Sequence, residues 1–126
     1  MKKILIIEDD KVVQKSMAVQ LGGAGYEVAS AYDAVIAISM VRSEKPDLIL
    51  LDVSIPGGDG FKVAERILQN PNLVRIPFIF ITASMKPEYK ERAQQLGAAA
   101  LLEKPVDSKT LFAAIAQALP RAQPAT

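Results

Sequence analysis

Five times in succession a short apolar run is followed by a longer stretch with helical spacing, and this alternation restricts the chain more than any other feature. The runs are KKILII (2–7), YEVASA (26–31), DLILLD (47–52), PFIFIT (77–82) and AALL (99–102). Short runs rich in Ile and Leu and bounded by turn residues predict strands. The stretches Lys11–Leu21, Asp33–Ser43, Phe61–Asn70, Pro87–Leu96 and Ser108–Leu119 predict helices. Gly22 and Gly23 are expected to stop the first helix, Pro87 to open the fourth and Gly97 to close it. The first, third and fourth runs are apolar throughout, as strands are when helices cover both faces of a parallel sheet. The expected fold is therefore α/β, an open doubly wound five-stranded parallel sheet with five helices. Right-handed crossovers favour the strand order 2-1-3-4-5, and an eight-fold barrel needs far more than 126 residues.

A length of 126 residues that are 50% apolar fits one core and one domain, expected over 1–120. The closing PRAQPAT has two prolines and no apolar periodicity, so 121–126 is expected to be a flexible tail. A formal net charge of +1 without a basic run argues against direct nucleic-acid binding or attraction to an anionic membrane. No apolar run is long enough to span a bilayer, and no leader precedes the first strand, so a cytoplasmic location is expected. Cysteine and histidine are both absent. Thiol chemistry and the usual neutral-pH proton shuttle are thus excluded, and any chemistry rests on carboxylates, hydroxyls and lysine.

Ligands of an open parallel sheet bind outside the carboxyl ends of its strands. That edge receives Glu8, Asp9 and Asp10 after the first strand, Asp52 from the third, Thr82 from the fourth and Lys104 just past the fifth. Converging carboxylates either raise a pKa or collect a divalent cation, and an oxygen-only set suits Mg2+. A lysine neutralises charge on a transferring phosphoryl group and a hydroxyl donates to it. Together these groups describe phosphoryl transfer onto an aspartate, an established form of covalent chemistry. Read alone, Glu8, Asp9 and Asp10 also fit a helix cap with acidic first-turn residues, and Thr82 fits a residue bonding its own backbone. The GGAG stretch (22–25) lacks the spacing of a phosphate loop and reads as a helix stop.

Four motifs in order, IIEDD (6–10), LLDVSIPGGDG (50–60), FITAS (80–84) and EKP (103–105), carry a resemblance to the receiver domains of bacterial response regulators. It covers essentially the whole chain and implies a flavodoxin-like receiver fold in two-component phosphorelay signalling. Carried over by position, it makes Asp52 the phosphoacceptor, Glu8 and Asp9 the acidic pair at Mg2+, and the Ser54 carbonyl a further metal contact. Thr82 is then the switch hydroxyl and Lys104 the phosphate-pairing cation. Pro56, Asp59 and Gly60 shape the loop after the acceptor, and Pro105 follows a cis peptide bond. The implied phosphodonor is a sensor histidine kinase or histidine phosphotransfer protein, since a chain without histidine cannot supply it. The only implied catalysis is the domain's own phosphorylation and dephosphorylation.

The chain departs from the commonest receiver pattern at several points. Glu8 stands where Asp is frequent, and Leu101 where many relatives carry an aromatic ring that follows the threonine. Phe112 is expected opposite the core stripe of Leu111, Ile115, Ala118 and Leu119, where it would join Leu101 in an apolar contact on the α4-β5-α5 face. That face is the expected docking surface for a downstream protein, with the chain a monomer or weak dimer. Two alternatives belong to other classes: a small Mg2+-dependent aspartyl-phosphate phosphohydrolase, and a receiver-like adaptor that takes no phosphate. Ser54, where the hydrolase would carry a second acid, weighs against the first.

Overall fold

The computed structural model describes residues 1–73 and 76–119, so the expected tail at 121–126 lies outside the described residues. Five parallel strands, β1 (Lys3–Ile7), β2 (Glu27–Ala31), β3 (Leu48–Asp52), β4 (Phe78–Thr82) and β5 (Ala100–Glu103), form one sheet in the order β2-β1-β3-β4-β5. The helices are α1 (Lys11–Gly23), α2 (Ala34–Glu44), α3 (Gly60–Leu68), α4 (Pro87–Leu96) and α5 (Ser108–Ala118). A ribbon pairing Ser54–Ile55 with Gly58–Asp59 stands outside the sheet and is left unnumbered.

The period of two along each strand divides the core into two layers. Leu5, Ile7, Ile49, Leu51 and Phe80 face one layer, where Val41 of α2 and Phe61, Val63 and Ile67 of α3 cover them. Ile4, Ile6, Leu48, Leu50, Ile79 and Ile81 face the other, beneath Leu21 of α1 and Leu111 and Ile115 of α5. Burying each such side chain contributes about 1.5–3 kcal/mol. A one-residue slip would exchange the two layers, so the register Ile4↔Leu48 and Leu50↔Ile79 is firmly held.

Four helices begin on an aspartate whose carboxylate accepts backbone N–H groups: Asp10, Asp33, Asp59 and Asp107. The fourth helix instead opens on Pro87, as expected, and Lys86 before it makes no side-chain cap bond. Gly97 closes it at φ 77. Gly22 and Gly23 do not stop α1, which runs through Gly23. The reversal falls at Gly25 with φ 95, a value glycine adopts without strain, so the helix is two residues longer than Lys11–Leu21. The third helix starts at Gly60 and ends at Leu68, earlier than expected at both ends, because the Asp59 cap fixes its start. Phe112 is not opposite the core stripe: it is half-buried and packs against the α1–α5 layer. Three residues before Ile115 it lies about 60° from that side chain around the helix, which places it on the stripe's edge.

Candidate functional site

The carboxyl edge of the sheet brings together the groups that the sequence places at strand ends. Asp52 is the last residue of β3, at 6% exposure, and Glu8 follows β1, at 1%. Asp9 beside it is exposed. Each of the three offers a carboxylate oxygen within 4.8 Å of the others. Lys104, one residue past β5, reaches back across the edge. Its Nζ donates to Asp52 Oδ2 at 2.8 Å and also pairs with Glu8 Oε1. The Lys104–Pro105 bond is cis.

Three carboxylates thus face one ammonium. Burial pushes the Glu8 carboxyl up to about 7, helped by its neighbour Asp52 and opposed by bonds from Lys104 and the Asp10 amide. Burial works to lower the Lys104 ammonium, but the bonds to Asp52 and Glu8 outweigh it and its pKa is raised. The Asp10 N–H donates to Glu8 Oε2 at 3.1 Å while the Asp10 carboxylate caps α1, so the two readings of this acidic run hold at once on different atoms.

Ser54 joins the site through its amide, which donates to Asp52 Oδ1 at 2.9 Å. Both Asp52 oxygens are therefore positioned, one by a backbone dipole and one by a cation. Thr82 is 3% exposed at the end of β4, beside β3 in the sheet. Its hydroxyl is turned into its own loop, donating to the Ser84 carbonyl at 3.0 Å and accepting from the Ser84 N–H at 3.2 Å. The Lys104 N–H donates to the Thr82 carbonyl at 2.8 Å, which ties the lysine and threonine through the backbone.

Two further contacts go beyond what the sequence implies, which for Gly60 is only a role in shaping the loop after Asp52. A Cβ on Gly60 would lie 2.3 Å from the Asp52 carbonyl oxygen, so the chain after Asp52 folds back against it only because residue 60 has no side chain. Glu103 Oε2 accepts from the Met85 N–H at 3.2 Å, fastening the loop after Thr82 to the end of β5. The GDG triplet hinted at the first contact. No local signal marks the second, whose partners are 18 positions apart.

An oxygen-only donor set in which three carboxylates meet one ammonium fits a hard divalent cation such as Mg2+. Among the described residues no helix is long and apolar enough to cross a membrane.

A family profile described as response regulator receiver domain matches residues 4–116. The phosphate regulon transcriptional regulatory protein PhoB of Pseudomonas aeruginosa is 35% identical over 123 residues, covering 98% of this chain and 54% of that protein. The chain spans 25 to 54% of the length of the curated relatives it matches. The solved structure of the chemotaxis protein CheY4 of Vibrio cholerae is 28% identical and superposes with a TM-score of 0.89, covering 94% of this chain and 99% of that one. The Mn2+-bound form of response regulator Rcp1 is 30% identical with a TM-score of 0.77, covering 90% of this chain and 88% of that one.

Proposed function

Because the chain belongs to the response regulator receiver domain family, we propose that Asp52 is its phosphoacceptor and that a partner's phosphohistidine is the donor. An Asp52 carboxylate oxygen attacks the phosphorus, the P–N bond breaks with its electron pair left on the imidazole, and an acyl phosphate forms. Attack by water at phosphorus later returns the carboxylate and inorganic phosphate.

The observation that carries it is the pairing of a buried Asp52 with Lys104 beside Glu8 and Asp9. Lys104 holds Asp52 in place before transfer and meets the phosphoryl oxygens after it. Glu8, Asp9, Asp52 and the Ser54 carbonyl would hold Mg2+, which when bound offsets the charge of the phosphoryl oxygens. The Mn2+-bound form of Rcp1 supports a hard divalent ion in a domain of this kind. Thr82, released from Ser84, is the hydroxyl that follows the new phosphoryl group.

The donor is a sensor histidine kinase or a histidine phosphotransfer protein, acting in the cytoplasm. It has room to approach: a cavity of about 580 Å³ lined by Val13, Met17, Val106 and Lys104 opens beside the site. The phosphorylated domain signals to a downstream protein through the α4-β5-α5 face, as a monomer or weak dimer. Incubation with acetyl phosphate and Mg2+, read by intact mass, tests the reading. One added phosphoryl group that Asp52→Asn abolishes supports it, and an unchanged mass in the wild type overturns it.

A further inference from the structure

Running from the loop after Asp52, which supplies Gly57 and Asp59, a groove lies between α2 and α3. Three cavities of about 540, 510 and 360 Å³ follow one another along it. The first two share Arg42 and Asn70, and the last two share Ile38 and Arg66, so they form one channel. Four cations line it: Arg42 and Lys45 at the end of α2, and Lys62 and Arg66 on α3. All four are exposed, and none forms an ion pair among the described residues. Among the described residues Asp59 is the one carboxylate on the lining, and its Oδ1 accepts the Lys62 N–H as the α3 cap.

Helix electrostatics account for part of this. Arg42 and Arg66 occupy the last turns of their helices, where the dipole favours a cation. Lys62 is in the first turn of α3, where the same dipole opposes it. Lys45 holds a left-handed backbone at φ 48, a conformation in which glycine or asparagine is the unstrained choice. Outside the groove Lys3, Arg92 and Lys104 have carboxylate partners while Lys2, Lys11, Lys15, Lys86, Lys90 and Lys109 form no ion pair among the described residues, so what sets the groove apart is that four unpaired cations line a single channel.

The floor is apolar toward each end, with Ile38 half-buried and Val63 buried at one and Leu73 buried and Ile76 half-buried at the other, while Gln69 and Asn70 line its middle. Among the described residues no aromatic side chain lines the channel, so unpaired bases find nothing there to stack on. The net charge of +1 gives no general attraction for polyanions. An apolar floor under a cationic rim matches a polypeptide in which acidic and apolar side chains alternate by face. We propose that the α2–α3 groove docks an acidic amphipathic segment of a partner protein, independently of the α4-β5-α5 face.

The test is a titration of the 15N-labelled chain with a synthetic helical peptide carrying Glu on one face and Leu on the other, and with its Lys-for-Glu counterpart. Amide shifts are expected at 38–45 and 62–70 for the acidic peptide alone, weakening at high salt. Lys62→Glu with Arg66→Glu should weaken binding about tenfold or more. Lys62→Gln with Arg66→Gln should weaken it by less while leaving the amide spectrum elsewhere unchanged, which separates lost charge from lost fold. Shifts centred on other lysines, affinity unchanged in both double variants, or tighter binding of this groove to a DNA duplex or phosphatidylserine vesicles would overturn the proposal.

Discussion

Lys104 Nζ lies 2.8 Å from Asp52 Oδ2 across 52 positions of sequence, and the same nitrogen pairs with Glu8. One ammonium thus compensates two buried carboxylates drawn from different strands. Lys104→Ala is expected to fold with its stability at neutral pH lowered by roughly 1–3 kcal/mol, the cost of leaving a buried acceptor without its partner. Its phosphorylation by acetyl phosphate, or the amide shifts that follow, should be impaired. Lys104→Arg should also fail, because the planar guanidinium is not a compact point charge. Wild-type mass gain and wild-type amide shifts in both variants would remove Lys104 from the mechanism.

The second expectation concerns the cation. Three carboxylates meeting one ammonium leave negative charge that a divalent ion relieves, so Mg2+ should bind weakly before any phosphate arrives. Asp9→Ala and Asp52→Ala should each reduce its affinity by about tenfold or more in calorimetric titration. Ser54→Ala should leave it unchanged, because the proposed contact is a backbone carbonyl. Equal affinities in the wild type and both carboxylate variants would place the ion elsewhere.

Much of this edge was legible in the sequence because a parallel sheet sends every strand end to one side. Once strands were assigned to 47–52 and 77–82, Asp52 and Thr82 had to meet at that edge. Features resting on tertiary contact were not legible. The periodicity of α5 does not say how far its buried stripe extends, so Phe112 was expected opposite the core yet packs on its edge. Glycines at 22 and 23 carry a stop signal that the helix overrides, because the left-handed turn is made at Gly25. The bond from Met85 to Glu103 joins two loops whose approach depends on the whole of α4 between them.

The pH dependence of stability follows from Glu8. Its carboxyl titrates near 7 in the metal-free folded chain, up from an ordinary 4.5. Below pH 4.5 both states hold the proton. Between about 4.5 and 7 the folded state keeps a proton that the unfolded chain has released, so stability falls as pH rises through this window. Thermal melts in chelator should show that decline, and Glu8→Gln should flatten it. Added Mg2+ should also reduce it, since the cation replaces the proton as the compensating charge. Identical pH slopes in the wild type and Glu8→Gln would contradict the assignment.

Gly60 and Gly22 make opposed predictions for one substitution. A methyl at Gly60 meets the Asp52 carbonyl oxygen at 2.3 Å, and the backbone there cannot yield without moving Asp52. Gly60→Ala should destabilise by about 1–3 kcal/mol, as overpacking does, and slow phosphorylation. Gly22 lies within α1 with nothing near its open side, so Gly22→Ala should stabilise by about 0.4–1 kcal/mol. Denaturant titration of both variants decides it. A neutral Gly60→Ala would show that the loop has slack.

The last expectation is the route by which phosphate changes the surface. Thr82 donates to Ser84, and Met85 donates to Glu103, so the segment from Ala83 to Lys86 is held at rest by two side chains. It leads into α4, which starts without a side-chain cap and buries only Ala93 fully. An element so lightly held is the one that a local change displaces most readily. A phosphoryl group on Asp52 competes for the Thr82 hydroxyl, and once Ser84 loses that bond the segment is fastened by Glu103 alone. Leu101, half-buried on β5, has no ring to swing, so the movement should be reported by the loop and α4. Amide shift mapping with beryllofluoride and Mg2+ should show changes at Ala83–Lys86, Glu103 and residues 87–96, with smaller ones at Leu101. Glu103→Gln weakens the remaining tether by removing its charge, and should move the resting spectrum part of the way toward the activated one. Phe112→Glu, which puts a charge on the half-buried edge of α5, should reduce any self-association seen by sedimentation and leave the α4 shifts intact. Shifts confined to Asp52 and its neighbours, or a Glu103→Gln spectrum unchanged beyond the mutated site, would show that the loop after Thr82 does not carry the signal.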